Sequence, residues 1–331
     1  MKLKILAVII AVWLLLQIIP KPQVVPNNPF LKSDQTMIVA HGGGQFEFPD
    51  NTLEAFYNAY AVDPNVVMEM DVNITKDGVV ILSHDRTLDR KTNLQNALIS
   101  EINYTDLVSE EVNFGFENII IPPDNGFNVS GELIRYTNYL NQHVTPLDVA
   151  YPEGISARHP EKFLVTTLED MLVAFPNSLM SIEIKQQGDL GLSALDAVVE
   201  LLDQYDAFGR VVLVSFHIEV VDAFKTLQRE KEIFYYAPQN NGVALFYFLS
   251  RAGLSLFHFE NPALLAIPTS FSVFDLTQRT FMKAALNHGL ALHYWTINDE
   301  DVMRELIAKG ADGIMTDRPT LLRQILDEKE D

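Results

Sequence analysis

From Thr36 onward, short β-branched or apolar runs alternate with longer amphipathic stretches, and this alternation is the tightest limit on how the chain can fold. The runs MIVAH, VVMEMDVNIT, VVILSH, LMSIEIK, VVLVSF, IFYYAP, ALLAIP, LALHYWTIN and GIMTD have the length and composition of strands. Helical patterns between them act as crossovers, so a parallel sheet and an α/β fold are expected. A closed barrel of such units reaches roughly 250 residues as one domain, so the 331 residues fit a single domain with additions. The nine runs exceed by one what an eight-stranded barrel needs.

One connection cannot be a crossover. Thr75, Lys76, Asp77 and Gly78 separate VVMEMDVNI from VVILSH, too few residues for a helix, so the two runs are expected to form a hairpin. With Lys76 and Asp77 as the turn, Glu69 lies opposite His84; with Asp77 and Gly78, Asp71 does. Residues from about 94 to 163 form a long irregular stretch with turn residues Pro122, Pro123, Asp124, Asn125 and Gly126, and read as an inserted subdomain or lid. Thr167 to Asp170 then resembles a capping box, and Phe175, Pro176 and Asn177 end the helix that it starts.

The first 20 residues place Lys2 and Lys4 before an apolar run broken by Gln17, the pattern of a signal or anchor segment. As a helix the run covers about 23 Å against a hydrocarbon core of roughly 30 Å, so spanning needs help from Trp13 and the lysines. Lys21, Pro22 and Gln23 follow where a cleavage site would want small residues. The expectation is a single-pass anchor in the cell membrane, with the rest of the chain on the extracytoplasmic side, or a secreted protein should the segment be cleaved. Residues 21–35, with Pro22, Pro26 and Pro29, read as an extended tether.

Charge and cysteine narrow the chemistry. The 24 Lys and Arg against 44 Asp and Glu give a net charge of −20, which excludes a nucleic-acid partner. An acidic protein that handles a phosphate ester needs a bound cation or placed basic side chains. The absence of Cys excludes disulfides, thiolate catalysis and zinc thiolate sites.

Glu69 and Asp71 alternate on an otherwise apolar strand, so both carboxylates point to one side and call for a cation; the plainer reading is a pair at the strand's wet end. His84 and Asp85 close the hairpin's second run, and beside two acids His84 becomes a candidate acid or base. His41 ends an apolar run and is followed by Gly42, Gly43 and Gly44, then by Asp50, Asn51 and Thr52 at a helix start. Glycine N–H groups before a helix can receive a phosphate, although a tight turn alone would also need them. Glu183 and Lys185 share a strand face, either as an ion pair or as a third hard oxygen ligand and a phosphate contact suited to Mg²⁺ or Ca²⁺.

In order along the chain stand His41-Gly42-Gly43, Pro49-Asp50-Asn51-Thr52, Glu69-Met70-Asp71, Lys76-Asp77-Gly78, His84-Asp85, Glu183-Ile184-Lys185, Trp295-Thr296-Ile297-Asn298 and Thr316-Asp317-Arg318-Pro319. This series resembles the glycerophosphodiester phosphodiesterase family. The resemblance implies an irregular (β/α)8 TIM barrel over residues 36–325, with its site at the C-terminal ends of the strands. It further implies metal-dependent hydrolysis of glycerophosphodiesters to glycerol phosphate and an alcohol. Glu69, Asp71 and Glu183 would hold one divalent cation, Mg²⁺ or Ca²⁺, and His41 and His84 would be the acid–base pair. Gly42, Gly43, Lys185 and Trp295 would meet the substrate, with Asp50 and Asp85 in support.

The sequence departs from the family pattern twice. Gly42 stands where the family has Arg, removing a bidentate phosphate clamp, and Asp50 replaces Glu. Two other functions stay open on the residues. One is lysophospholipase D-type cleavage of lysophospholipids, with Tyr104, Phe114, Phe116, Phe127, Tyr136 and Tyr139 of the insert receiving an acyl chain. The other is a silent barrel that binds a lipid headgroup or wall polymer.

Overall fold

A computed structural model of the chain describes residues 2–18, 28–109, 112–117, 134–231, 233–235, 241–251 and 262–328. One sheet contains β1 (Met37–His41), β2 (Val67–Ile74), β3 (Val80–Leu82), β4 (Met180–Ile184), β5 (Val211–Val214), β6 (Phe234–Tyr235), β7 (Leu264–Ile267), β8 (Ala291–Tyr294) and β9 (Gly313–Thr316). Its hydrogen-bonded path runs β6-β5-β4-β2-β1-β9-β8-β7, with every pairing on that path parallel. The open edge between β6 and β7 is joined by the Ala263 N–H donating to the Tyr235 carbonyl at 2.7 Å. The path is a nearly closed eight-stranded TIM barrel. The ninth run of the sequence is β3, which lies off the path as the antiparallel return strand on β2. Of the run IFYYAP, only its start lies in β6, and residues 236–238 fall outside the described residues.

Two apolar layers follow from strands buried on both faces. Inside the barrel, Val39, Val67, Val212, Leu264, Ala291 and Met315 pack together. The outward-facing set, including Ile38, Met68, Met70, Ile182 and Leu213, packs against the helices. Helix α2 (Leu53–Val62) starts where Thr52 accepts the Ala55 N–H, and α3 (Leu168–Ala174) carries the expected Thr167–Asp170 capping box and ends at Phe175.

The barrel floor is sealed by residues that precede β1. Phe30 is fully buried, its ring lies edge-on to Phe234 and His293, and its carbonyl accepts from His293 Nε2 at 3.0 Å. Asn28 donates to the carbonyls of Ala263 and Gly289, just ahead of β7 and β8. Both residues lie in the stretch expected to be an extended tether, and both are packed beneath the barrel; residues 19–27 lie outside the described residues.

The N-terminal expectation needs correction. Helix α1 (Lys2–Ile18) has 17 residues, and no helix among the described residues is long and apolar enough to cross a membrane. At 1.5 Å per residue it spans about 25 Å, short of the roughly 30 Å of hydrocarbon. This overturns the single-pass membrane anchor and the extracytoplasmic placement that depended on it.

Between β3 and α3 the chain carries a helical turn at Tyr104–Leu107 and a strand pair, Phe116–Glu117 with Ile134–Arg135. It reaches back over the barrel mouth, where the Tyr136 hydroxyl donates to the Gln45 carbonyl and the Tyr139 N–H to the Phe46 carbonyl. Residues 118–133 of the expected insert lie outside the described residues.

If Phe30 seals the floor, Phe30→Ala removes a fully buried ring and should cost about 3–5 kcal/mol of stability, read as a fall in the urea midpoint at unchanged slope. A loss within about 0.5 kcal/mol would be surface behaviour and would contradict the packing described.

Candidate active site

Strand β2 and the C-terminal end of β4 bring three acids to one point, beside His41 at the end of β1. Parallel register sets His41 beside Glu69 and Asp71 beside Glu183. Ligand oxygens of Glu69, Asp71 and Glu183 lie within 4.8 Å of one another, with Glu69 and Asp71 buried. Burial and the neighbouring Asp71 and Glu183 charges push the Glu69 carboxyl up to about 8, despite His41 and the Gly42 N–H. Burial and Asp71 also raise Glu183. With Asp71 between them, the three carboxylates crowd negative charge at one point.

Lys185 supplies one charge, with Nζ 2.8 Å from Glu183 Oε1 and 3.4 Å from Asp71 Oδ1. Burial alone would lower its pKa, but Asp71 and Glu183 outweigh it and raise it. When ionised, the three acids and Lys185 sum to −2. An all-oxygen donor set with that residual charge fits one hard divalent cation.

The glycine run positions acids, since its N–H groups are engaged within the protein. Gly42 N donates to Glu69 Oε2 at 3.0 Å, while Gly43 N and Gly44 N donate to the carbonyls of Ala40 and His41. A Cβ on Gly43 would lie 2.7 Å from that of Ala55, so α2 can pack this close only against glycine. Asn51, itself at φ 58°, brackets Asp71: its amide donates to Asp71 Oδ2 at 3.0 Å and its oxygen accepts the Asp71 N–H at 2.9 Å.

His41 Nδ1 is 2.6 Å from Asp317 Oδ1, leaving Nε2 as the nitrogen available for chemistry. Asn298 donates to the other Asp317 oxygen at 2.5 Å and accepts the Asp317 N–H at 2.9 Å. Although burial opposes protonation, Asp317, Glu69 and Asp71 push His41 up to about 10. Asp317 and Asn298 stand in the quoted motifs, yet residue types alone assign them no task. Their only signal was their place in the Trp295–Asn298 and Thr316–Pro319 motifs.

His84 lies elsewhere than either hairpin register requires. The connection uses three residues, Lys76, Asp77 and Gly78, with Gly78 at φ 87°, and Thr75 pairs with Val79. The register is therefore intermediate, and Ser83 sits opposite Asp71 through its N–H at 2.9 Å. His84 turns to the rim with 49% of its side chain exposed, its Nδ1 2.8 Å from Asp85 Oδ1. The hydrogen bond to Asp85 raises its pKa, burial opposes this, and the Asp71 charge adds to the rise. Asp50 lies against Arg90, and Arg90 also grips Asp85.

Trp295 follows β8, packs on the barrel's inner apolar cluster and donates its N–H to the Ile267 carbonyl. Of the aromatic insert, Phe114 and Tyr136 are buried and the Arg318 guanidinium lies 4.7 Å from the centre of the Tyr139 ring, so these three are occupied in packing.

A sequence model of the glycerophosphoryl diester phosphodiesterase family matches residues 41–321. Similarity extends to a lysophospholipase D of Mus musculus, GDPD3, 23% identical over 312 residues that cover 89% of this chain and 83% of the relative. A probable glycerophosphodiester phosphodiesterase 2 of Mycobacterium tuberculosis is 22% identical, with 91% and 94% covered. Among solved structures, an Oleispira antarctica phosphodiesterase in complex with the product sn-glycerol-3-phosphate superposes at a TM-score of 0.61, with 22% identity and 91% and 99% covered. The fold and match define a phosphoric diester hydrolase. The chain belongs to the glycerophosphoryl diester phosphodiesterase family.

Asp317→Asn removes the main charge that holds a proton on His41. The His41 titration should move down from about 10 by about 1–3 pH units, as followed by imidazole NMR. An unmoved titration would show that Asp317 is not its electrostatic partner.

Proposed function

We propose that the protein hydrolyses glycerophosphodiesters to glycerol phosphate and an alcohol, using one divalent cation, Mg²⁺ or Ca²⁺, at Glu69, Asp71 and Glu183. The observation that carries this reading is the acid trio itself, three carboxylates gathered at one point whose residual charge with Lys185 fits such an ion, with the Glu69 and Glu183 carboxyls pushed up by burial and by Asp71. When bound, the cation supplies Lewis-acid stabilisation of charge on the phosphoryl oxygens. Lys185 binds a phosphate oxygen alongside, and Trp295 forms an apolar wall.

His41 and His84 are the acid–base pair. Asp317 fixes the His41 ring and keeps it protonated, the state needed to deliver a proton from Nε2 to the leaving alkoxide. His84 accepts the proton of the water that attacks phosphorus, so that the new P–O bond replaces the bond to the leaving alkoxide. Gly42 acts through its N–H on Glu69, and neither it nor Gly43 supplies a free donor to phosphate.

Lysophospholipase D-type cleavage is the second reading, supported by the name of the mouse relative. Phe216 and Ile218, 55% and 63% exposed in the segment after β5, offer the acyl chain an apolar surface that the packed insert aromatics do not.

The experiment is a panel of glycerophosphocholine, glycerophosphoglycerol and lysophosphatidylcholine, scored for released alcohol with Mg²⁺ or Ca²⁺. Turnover should vanish on chelation and fall by about 10²–10⁴ in His41→Ala and in His84→Ala. No turnover of any of these by the metal-loaded protein would sink the reading.

A further inference from the structure

The guanidinium that the family carries beside the first His is absent at Gly42, and one from elsewhere in the chain enters the site. Arg90 reaches it from the segment after β3. Its Nε donates to Asp85 Oδ2 at 2.6 Å, and its two terminal nitrogens donate to the two Asp50 oxygens at 3.2 and 3.1 Å. Asp85 holds His84 Nδ1 at 2.8 Å, and Asp50 accepts from the Asn51 amide at 3.2 Å, the same amide that reaches Asp71. A continuous series therefore runs from His84 through Asp85, Arg90, Asp50 and Asn51 to Asp71.

We propose that Arg90 is a positioning residue of the active site: its planar fork fixes His84 through Asp85 and Asp71 through Asp50 and Asn51. The assignment rests on the roles proposed above for His84 and Asp71.

Asp50, the shorter acid, stays 3% exposed and points to Arg90. A Cβ on residue 42 would lie 3.0 Å from the Asp50 Cβ, at a backbone φ of 54° that side chains disfavour. A side chain at residue 42 would therefore need Asp50 to give by a few tenths of an ångström as well as a left-handed backbone. Lys cannot replace Arg here, because one ammonium cannot make a bidentate contact to one carboxylate while bonding a second through a rigid fork. Lys91 already stands 3.8 Å from Asp50 Oδ2 with its ammonium on the Asp50 carbonyl, and a single ammonium there does not supply the fork that joins Asp50 to Asp85.

The test uses the full-length, Mg²⁺-loaded chain with Arg90→Lys, which keeps a cation beside Asp50, and Arg90→Met as the second variant. Thermal unfolding establishes that the variant used is folded. In Arg90→Lys, kcat should fall by about 10–100-fold with KM within about threefold. Asp85→Asn should cost markedly less in the Arg90→Lys background than in the wild type, because both act on His84 through one path. Independently of turnover, the His84 Nδ1 resonance should shift or broaden in the folded variant.

A kcat within about threefold of wild type, or multiplicative losses in the double variant, would overturn the proposal. A KM raised about tenfold at constant kcat would instead put Arg90 on the substrate phosphate and overturn a positioning role. A wild type without turnover would defeat the function proposed above, and the His84 resonance would then decide for Arg90, an unchanged signal counting against it.

Discussion

The mutual repulsion of Glu69, Asp71 and Glu183 is the interaction around which the rest of the structure is arranged. Two adjacent parallel strands place Asp71 and Glu183 in register, and the pleat turns Glu69 to the same side. Their environment is poor in water, so each charge is felt strongly by the others. Lys185 neutralises one charge from within the trio's own sheet. What remains sets the chemistry that the site can accept.

The surrounding architecture holds these acids in place without neutralising them. Gly42 N–H and the Asn51 amide each orient one oxygen, and both lie on the short connection from β1 to α2. On the opposite side, Asn298 and Asp317 come from the ends of β8 and β9 and fix the His41 ring. Phe30 seals the far end of the barrel, and the apolar interior between floor and site supports a low local dielectric. Barrel closure, floor and site are thus one problem: without a packed interior, the acids would be wet and the Glu69 and Glu183 carboxyls would lose the burial that raises them.

Much of this was legible in the sequence because it depends on local pattern. Alternating runs identify the strands, and ordered motifs such as Glu69-Met70-Asp71 survive as short strings whose residue types carry their own chemistry. What was not legible depends on placement. The turn Lys76-Asp77-Gly78 takes three residues instead of two, because Gly78 adopts the left-handed conformation after Asp77, and one residue of register moved His84 off the acids and onto the rim. Arg90 looks like an ordinary surface cation until the fold brings Asp50 and Asp85 to it from either side. The apolar N-terminal run has the composition of an anchor, but its helix is shorter than a bilayer's hydrocarbon core. Asn28 and Phe30 sit in proline-spaced sequence that looks extended, and only the Asn28 bonds ahead of β7 and β8 and the Phe30 contacts with β6 and β8 reveal them as the barrel floor.

If the acid trio holds one divalent cation as proposed, calorimetric titration of the chain with Mg²⁺ reads it out. Because the Glu69 carboxyl is raised to about 8, it is protonated below that pH and must lose its proton to bind metal. The predicted result is one ion per chain, proton release at pH 7, affinity that increases with pH and levels off above about 8, and loss of binding in Asp71→Asn. Binding that is absent in the wild type, or unchanged in Asp71→Asn and indifferent to pH, would contradict it.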